Sequence, residues 1–435
     1  MKFMKSVNAA AAVGAIAAPK DLDIGSPDSI RRVSSTIAHG AMTYYNGNVS
    51  SDPVQVGDLQ DPYYWWVAGS LWGTMLDYYH YTGDATYNDV VIQGLLAPSN
   101  TGPGFDYMPP EHASEEGNDD LFFWGSAVIA AAERNFPQPD ESIPPWLEIG
   151  ANVFNQLAGR WNTTHCGGGL LWQIFETNPN GLDYKNSVSN GGFFQIAARM
   201  ARATGNATYV EWAERIWDWT TEIGLIDAEF FHVFDGAHAS KGCRDTNPAA
   251  FTYTSGIYLH GAAVMANYTG DAKWADRASK LLDGAGWFFS PDENSTNILY
   301  EAACERVGRC SVDMSTHKGQ FARFLWQASV VLPSLRERVE QYMRPSAEAA
   351  AKACSGGDGG VECGMKWWVG GFDGNVGLGQ QMSALETIQG LLIHDAPAPL
   401  PAGEIRTVRD RSWAAAPPAS RRRSQWQPRG ISARK

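Results

Sequence analysis

Two adjacent carboxylates, Asp119 and Asp120, end the acidic loop Glu111-His112-Ala113-Ser114-Glu115-Glu116-Gly117-Asn118 and stand directly before the apolar run Leu121-Phe122-Phe123-Trp124. That run reads as a helix, so the pair sits at a helix start. One reading is structural: Asn118, Asp119 or Asp120 is a good cap, and acids favour a first helical turn. The other is acetal chemistry. Glycosidic cleavage needs a carboxylate and a carboxylic acid flanking the scissile bond, about 5–5.5 Å apart for retention and about 6.5–9.5 Å for inversion. Neighbouring Cα atoms lie about 3.8 Å apart, so diverging side chains reach the shorter spacing. The helix N-terminus favours one ionised aspartate, and its charge keeps the other protonated.

Residue types that suit sugars surround this pair in the sequence. Aromatic rings offer flat faces to pyranoses, and amides offer directional hydrogen bonds. Candidates are Trp65 and Trp66; Trp172, in Gly167-Gly168-Gly169-Leu170-Leu171-Trp172-Gln173; and Tyr184, Lys185, Asn186 and Asn190, in the Asn/Ser/Gly-rich stretch 183–192. Each has a plainer reading, since buried Trp is ordinary and Gly/Asn loops can simply turn. Other chemistries find little support. No DDxxD, HExxH, GxSxG or GxxxxGK[ST] pattern is present, and no metal or cofactor is expected.

Positioning these residues requires a scaffold, and internal similarity indicates which. Thr82-Gly83-Asp84-Ala85-Thr86-Tyr87 recurs as Thr204-Gly205-Asn206-Ala207-Thr208-Tyr209 and as Thr269-Gly270-Asp271-Ala272-Lys273-Trp274. A unit of about 60–65 residues fits all three copies. Apolar residues flank each copy at spacings of three and four, the helical period. Glycine ends a helix in the left-handed conformation and Asp or Asn opens the next, so the motif predicts the turn of a helical hairpin. Six hairpins fit between residues 29 and about 395. Closing them into an (α/α)6 barrel buries both ends of the array; an open solenoid would need polar end repeats, which are not evident. Further helices are expected near 30–45, 121–134, 146–160, 191–203, 256–267, 316–329, 334–350 and 380–393. The domain is expected to span 28–395.

Hydrophobic residues make up 44% of the chain and 17 residues are Trp, enough for a large core. Net charge is −13, but nine basic and only two acidic residues follow residue 400. Segment 396–435 therefore reads as a disordered basic tail, while the acidic remainder argues against nucleic acid. No run of 18 apolar residues predicts a membrane span. Residues 1–18, with Lys2 and Lys5 before an Ala-rich stretch, read as a signal peptide. Five Asn-x-Ser/Thr sequons, at Asn48, Asn162, Asn206, Asn267 and Asn294, and six cysteines agree with secretion. Short loops favour Cys304–Cys310 and Cys354–Cys363, leaving Cys166–Cys243.

The segments Gly117-Asn118-Asp119-Asp120, Phe123-Trp124-Gly125, Cys166-Gly167-Gly168-Gly169-Leu170, Trp172-Gln173, Tyr184-Lys185-Asn186-Ser187 and Ser189-Asn190-Gly191 together resemble glycoside hydrolase family 76. The branch is that of fungal cell-wall α-1,6-mannosidase-like proteins. Cys304-Glu305, Asp313, Lys318, Trp367 and Gly377-Leu378-Gly379-Gln380-Gln381 extend the match to about residue 390. The resemblance implies an (α/α)6 barrel, endo-acting cleavage of α-1,6-mannan with retention, and no metal. It implies Asp119 as nucleophile, Asp120 as acid/base and Asp235 as a substrate contact. It also implies transfer of glycolipid-anchored mannan to a wall glucan acceptor. Met314, His317, Leu121 and Tyr253-Thr254-Ser255-Gly256 depart from the family's usual residues, and the Arg-rich C-terminus lacks the family's frequent anchor signal. A non-catalytic mannan-binding wall protein on the same scaffold is the alternative from another class, with other (α/α)6 enzymes behind it.

Overall fold

The computed structural model describes residues 17–138, 142–178 and 180–406. Most of the expected leader (1–16) and the tail beyond 406 lie outside the described residues. Thirteen α-helices follow in chain order among them: α1 (Pro27–Met42), α2 (Trp65–Thr82), α3 (Asn88–Leu96), the single turn α4 (Pro98–Thr101), α5 (Asn118–Glu133), α6 (Trp146–Gly159), α7 (Ser187–Thr204), α8 (Ala207–Glu222), α9 (Thr252–Thr269), α10 (Ala272–Gly284), α11 (His317–Val331), α12 (Arg336–Ala353) and α13 (Leu378–Gln389). Helices α2, α5, α7, α9, α11 and α13 each pack on the next, and α13 returns to α2. This is the closed inner ring of an (α/α)6 barrel. Helices α3, α6, α8, α10 and α12 form the outer layer, and α1 completes it by packing against α13. Among the described residues the first α-helix thus covers the last inner one.

Hydrophobic patterning accounts for the two layers. α2, α5, α7 and α9 are buried on nearly every face, whereas α8 buries only Ala213, Ile216, Trp217, Trp219 and Thr220. A helix apolar all round belongs inside, and one with a single apolar stripe belongs outside. The Thr-Gly-Asp/Asn motifs form the hairpin turns. Gly83, Gly205 and Gly270 close α2, α7 and α9 in the left-handed region, and Asn206 and Asp271 accept the Thr208 and Lys273 amides that open α8 and α10.

Two short ribbons join β1 (Tyr184–Asn186) to β2 (Gly236–His238), antiparallel, and β3 (Cys354–Gly356) to β4 (Glu362–Cys363). Disulfides link Cys166–Cys243, Cys304–Cys310 and Cys354–Cys363. Below the groove described next, the ring is tied by buried ion pairs. Arg323 joins Asp77 and Glu386, and Arg199 joins Glu133. No helix among the described residues is long and apolar enough to cross a membrane.

Segment 396–406 departs from the expected disordered tail. It runs as a strap across the barrel end away from the groove. The Leu400 amide donates to Glu133 and the Ala402 amide to Arg202, whose guanidinium donates in turn to the Pro399 and Leu400 carbonyls. Ile405 is buried. Composition missed this because backbone amides and carbonyls do much of the holding, with only Ile405, Leu400 and Ala396 packing apolar surface onto the core.

Candidate active site

A groove of about 600 Å³ opens where the inner helices begin. Trp66 of α2, Asp119 and Asp120 of α5, Val188 of α7, Tyr253 of α9 and His317 of α11 line it from the first turns of their helices, and Phe123 from the second turn of α5. Five positive helix ends therefore converge on one cleft, an arrangement that favours negative charge there. The cleft is acidic accordingly: Glu115, Asp235 and Asp313 face it together with the tandem aspartates.

Asp119 and Asp120 lie inside the first turn of α5, slightly further into the helix than expected. Asp120 accepts the Gly117 amide at 2.5 Å, so it does cap its own helix, and yet it also lines the groove. Capping the helix and facing the groove are thus compatible for this residue. Gly117 is extended; what it needs is space, because both carboxylates converge on its α-carbon. A methyl group there would lie 2.4 Å from Asp119 Oδ1 and 2.9 Å from Asp120 Oδ2. The Asn118 amide N–H bonds the Trp172 carbonyl and the Asn118 side chain bonds the Leu171 carbonyl, so the glycine-rich segment props the acid-bearing turn.

Burial sets the charge states. Asp119 is pushed up to about 7, first by burial and then by the charge of Asp313, against hydrogen bonds from its own and the Asp120 amides and from Trp172. Asp120 is pushed well above the ordinary carboxylate range by burial and then by Asp119. The helix end thus does not hold Asp119 at an ordinary low value as expected, because desolvation outweighs it. Both carboxyls are raised, and because each one's charge disfavours ionisation of the other, the pair holds one proton more firmly than two separate acids would.

Asp235 is a further carboxylate of the groove. Asp235 Oδ2 accepts the Tyr184 hydroxyl at 2.7 Å and the Asn247 amide at 3.0 Å, and burial raises its pKa. Tyr253 stacks on His317 with centroids 4.0 Å apart, its phenol kept protonated by burial and by Asp235 and Asp119. Asp313, in the 3-10 turn Asp313–Ser315, is raised by burial and has an Oδ1 with no protein partner.

The candidate sugar contacts divide. Trp66, Trp172, Tyr184, Asn186 and Asp235 all line the groove. Trp65, Lys185 and Asn190 do not, and the reasons are geometric. Consecutive helical residues point about 100° apart, so Trp65 turns into the core, stacked between Trp124 and His112 and donating to Asn100. β1 alternates its faces, so Tyr184 and Asn186 meet the groove while Lys185 is fully buried behind it, donating to the carbonyls of Asn162, His165 and Gly168. Asn190 is buried one turn into α7, its amide spent on both backbone groups of Leu170 and the Asn186 carbonyl. These three shape the site from behind.

Sequence reasoning missed several lining residues, among them Tyr64, Glu115, Asn178, Asn180 and Phe251. Their types are unremarkable in loops, and only the closure of the ring gathers them. Met314, His317 and Tyr253, noted as departures, line the groove, whereas Leu121 is core. Among the described residues no group of three or more His, Cys, Asp or Glu is placed to hold a metal ion.

An (α/α)6 barrel with paired acids at the helix starts of its mouth defines a class, and comparison with known proteins identifies it. Residues 29–403 match the model of glycosyl hydrolase family 76. The chain belongs to that family. It is 45% identical over 382 residues to the mannan endo-1,6-alpha-mannosidase of Eremothecium gossypii, spanning 87% of this chain and 82% of the relative. It is 43% identical over 380 residues to that of Saccharomyces cerevisiae, again 87% and 82%. Among solved structures, Dfg5 from Chaetomium thermophilum, in complex with glucosamine, superposes with a TM-score of 0.84 at 39% identity, covering 91% of this chain and 98% of that one. An alpha-1,6-mannanase from Salegentibacter sp. shares the fold, with a TM-score of 0.65 at 20% identity over 83% of this chain and 98% of that one.

Proposed function

We propose that this protein is an endo-acting α-1,6-mannosidase that cleaves with retention. In the first step ionised Asp119 attacks the anomeric carbon while Asp120 hands its proton to the departing glycosidic oxygen. In the second, Asp120, now a carboxylate, takes a proton from the incoming hydroxyl, which displaces Asp119. That hydroxyl belongs to water in hydrolysis or to a wall glucan in transfer. Asp235, Trp66, Trp172, Tyr184 and Asn186 bind the sugar rings, and no metal or cofactor takes part. The observation that carries this reading is the pairing of Asp119 and Asp120 in the first turn of one helix, both lining the groove. The names of the fungal relatives support the substrate. Action outside the cell, at the wall, is supported by the three disulfides and by exposed sequon residues such as Asn48, Asn206 and Asn294, proposed as glycan acceptors with Asn162 and Asn267.

The test incubates the protein with α-1,6-mannooligosaccharides, with and without a β-glucan oligosaccharide, beside Asp119→Ala and Asp120→Ala. Loss of product formation in both variants, by about 10³-fold or more, is expected. Activity that survives both refutes the assignment. Binding without turnover, unchanged in Asp119→Asn, favours a mannan-binding wall protein instead.

A further inference from the structure

A second, smaller cavity of about 180 Å³ adjoins the groove. The two are divided by a thin wall contributed twice by consecutive residues. Tyr64 faces the groove and Tyr63 the cavity; Asp313 and Met314 face the groove, and Val312 and Ser315 the cavity; Ser311 borders both. The cavity is built before any ligand arrives. The Asp373 carboxylate accepts the amides of Met365, Lys366 and Asn375, fixing the loop that forms its far side. The Tyr63 hydroxyl accepts the Leu378 amide at 2.9 Å, and its ring is held edge-on by Tyr44.

The chemistry of the lining is specific. None of its residues is charged, in contrast to the acidic groove beside it. Gln380 Nε2 donates to Asn375 Oδ1 at 2.8 Å, which leaves Asn375 Nδ2 free to donate and Gln380 Oε1 free to accept. The Tyr63 hydroxyl keeps its proton to give. Val312, Val376 and Met365 supply apolar surface. A charged ligand would be desolvated there with nothing to pair it. Fixed donors and acceptors beside small apolar faces match a neutral polyhydroxylated ring, and the volume admits one such ring.

We propose that this cavity, bounded by Tyr63, Val312, Asn375, Val376 and Gln380, binds a single neutral hexopyranose unit alongside the catalytic groove. The ring belongs either to the chain that is cut or to an incoming acceptor. The inference rests on the glycosidase reading above only for that second point; occupancy by a sugar does not depend on catalysis.

Val376→Trp fills the mouth of the cavity and Asn375→Ala removes its free donor. Both side chains are exposed on the loop, and thermal melts establish that the variants fold. Crystals of the full chain soaked with methyl α-mannopyranoside, and separately with methyl β-glucopyranoside, are expected to show a ring against Tyr63 and Gln380 that is lost in Val376→Trp. In turnover, the preference for longer over shorter α-1,6-mannooligosaccharides is expected to fall about fivefold if the ring is part of the cut chain, whereas the share of transfer over hydrolysis falls about fivefold if it is an acceptor. An empty cavity in both soaks, or both ratios unmoved in both variants, overturns the proposal. If the unmodified protein cleaves no mannan, the glycosidase reading fails, and the soaks alone decide the cavity.

Discussion

Gly117 and Asp119 are in such close approach that a single added methyl on the glycine would come within 2.4 Å of the aspartate's Oδ1. The backbone at Gly117, with φ −115° and ψ 168°, is open to any residue. The need for glycine here is thus steric and local to the acids. Gly117→Ala should leave the barrel folded, since a loop of this conformation accepts alanine, but should push the carboxylates out of line. A displacement near 1 Å at a reacting group costs roughly 10²-fold. The expected result is a fall in kcat/KM of about that size with an unchanged circular dichroism spectrum; a variant with full activity would show that the acids need no such clearance.

The same pair fixes a pH profile. In the proposed mechanism Asp119 must be ionised to attack and Asp120 protonated to donate. With Asp119 at about 7 and Asp120 higher, kcat/KM of the free enzyme should rise with pH through a limb near 7 and fall only at higher pH. The two steps belong to the pair as a whole. Asp313 contributes to the elevation of Asp119 through its charge. Asp313→Asn should therefore move the rising limb to lower pH, whatever it does to the maximum rate. A limb that stays in place would exclude this coupling.

Elevated acids also tax stability. A carboxyl with a folded pKa above its unfolded one favours the fold fully below the unfolded value, near 4, and loses that advantage as pH rises to the folded value, near 7 for Asp119. Above that range the ionised group is buried at a cost. Asp119→Asn, neutral at every pH, should thus match the unmodified protein in Tm near pH 4 and exceed it by about 2 °C or more at pH 7.5, while losing activity. A Tm difference that does not grow with pH would contradict the burial of this carboxyl.

How much of this could be read in the sequence depends on which interaction fixed each feature. The hairpin turns were legible because Gly83, Gly205 and Gly270 must adopt left-handed backbone, a requirement local to one residue. The tandem acids were legible because two adjacent carboxylates before an apolar helix stand out in the sequence itself, whatever they do. The start of α7 was not. The helix was expected from residue 191, but α7 begins at Ser187, capped by Asn186 accepting the Ser189 amide; Gly191 and Gly192 must be glycine because the rings of Tyr258 and Phe122 press to within 2.5 and 2.4 Å of where a Cβ would stand. That demand comes from other helices. Lys185 was misassigned for a similar reason: a three-residue strand is too short to betray its alternation until β2 pairs with it.

The strap formed by 396–406 makes the sharpest test of what composition hides. Its bonds to Glu133, Arg202 and Asn135 join the chain's end to α5, α7 and the turn after α5. Arg202 also donates to Asn267 of α9, so one guanidinium fastens the strap to two inner helices. Truncation after residue 395 should lower Tm by about 2–4 °C, the order expected when one or two net kcal/mol are lost. Truncation after 406 removes eight of the nine basic residues that follow residue 400 and keeps every one of these bonds, so it should leave Tm in place. Arg202→Ala should reproduce most of the first loss. If both truncations behave alike, the strap contributes nothing to the barrel, and the stability that Arg202 confers comes from Asn267 alone.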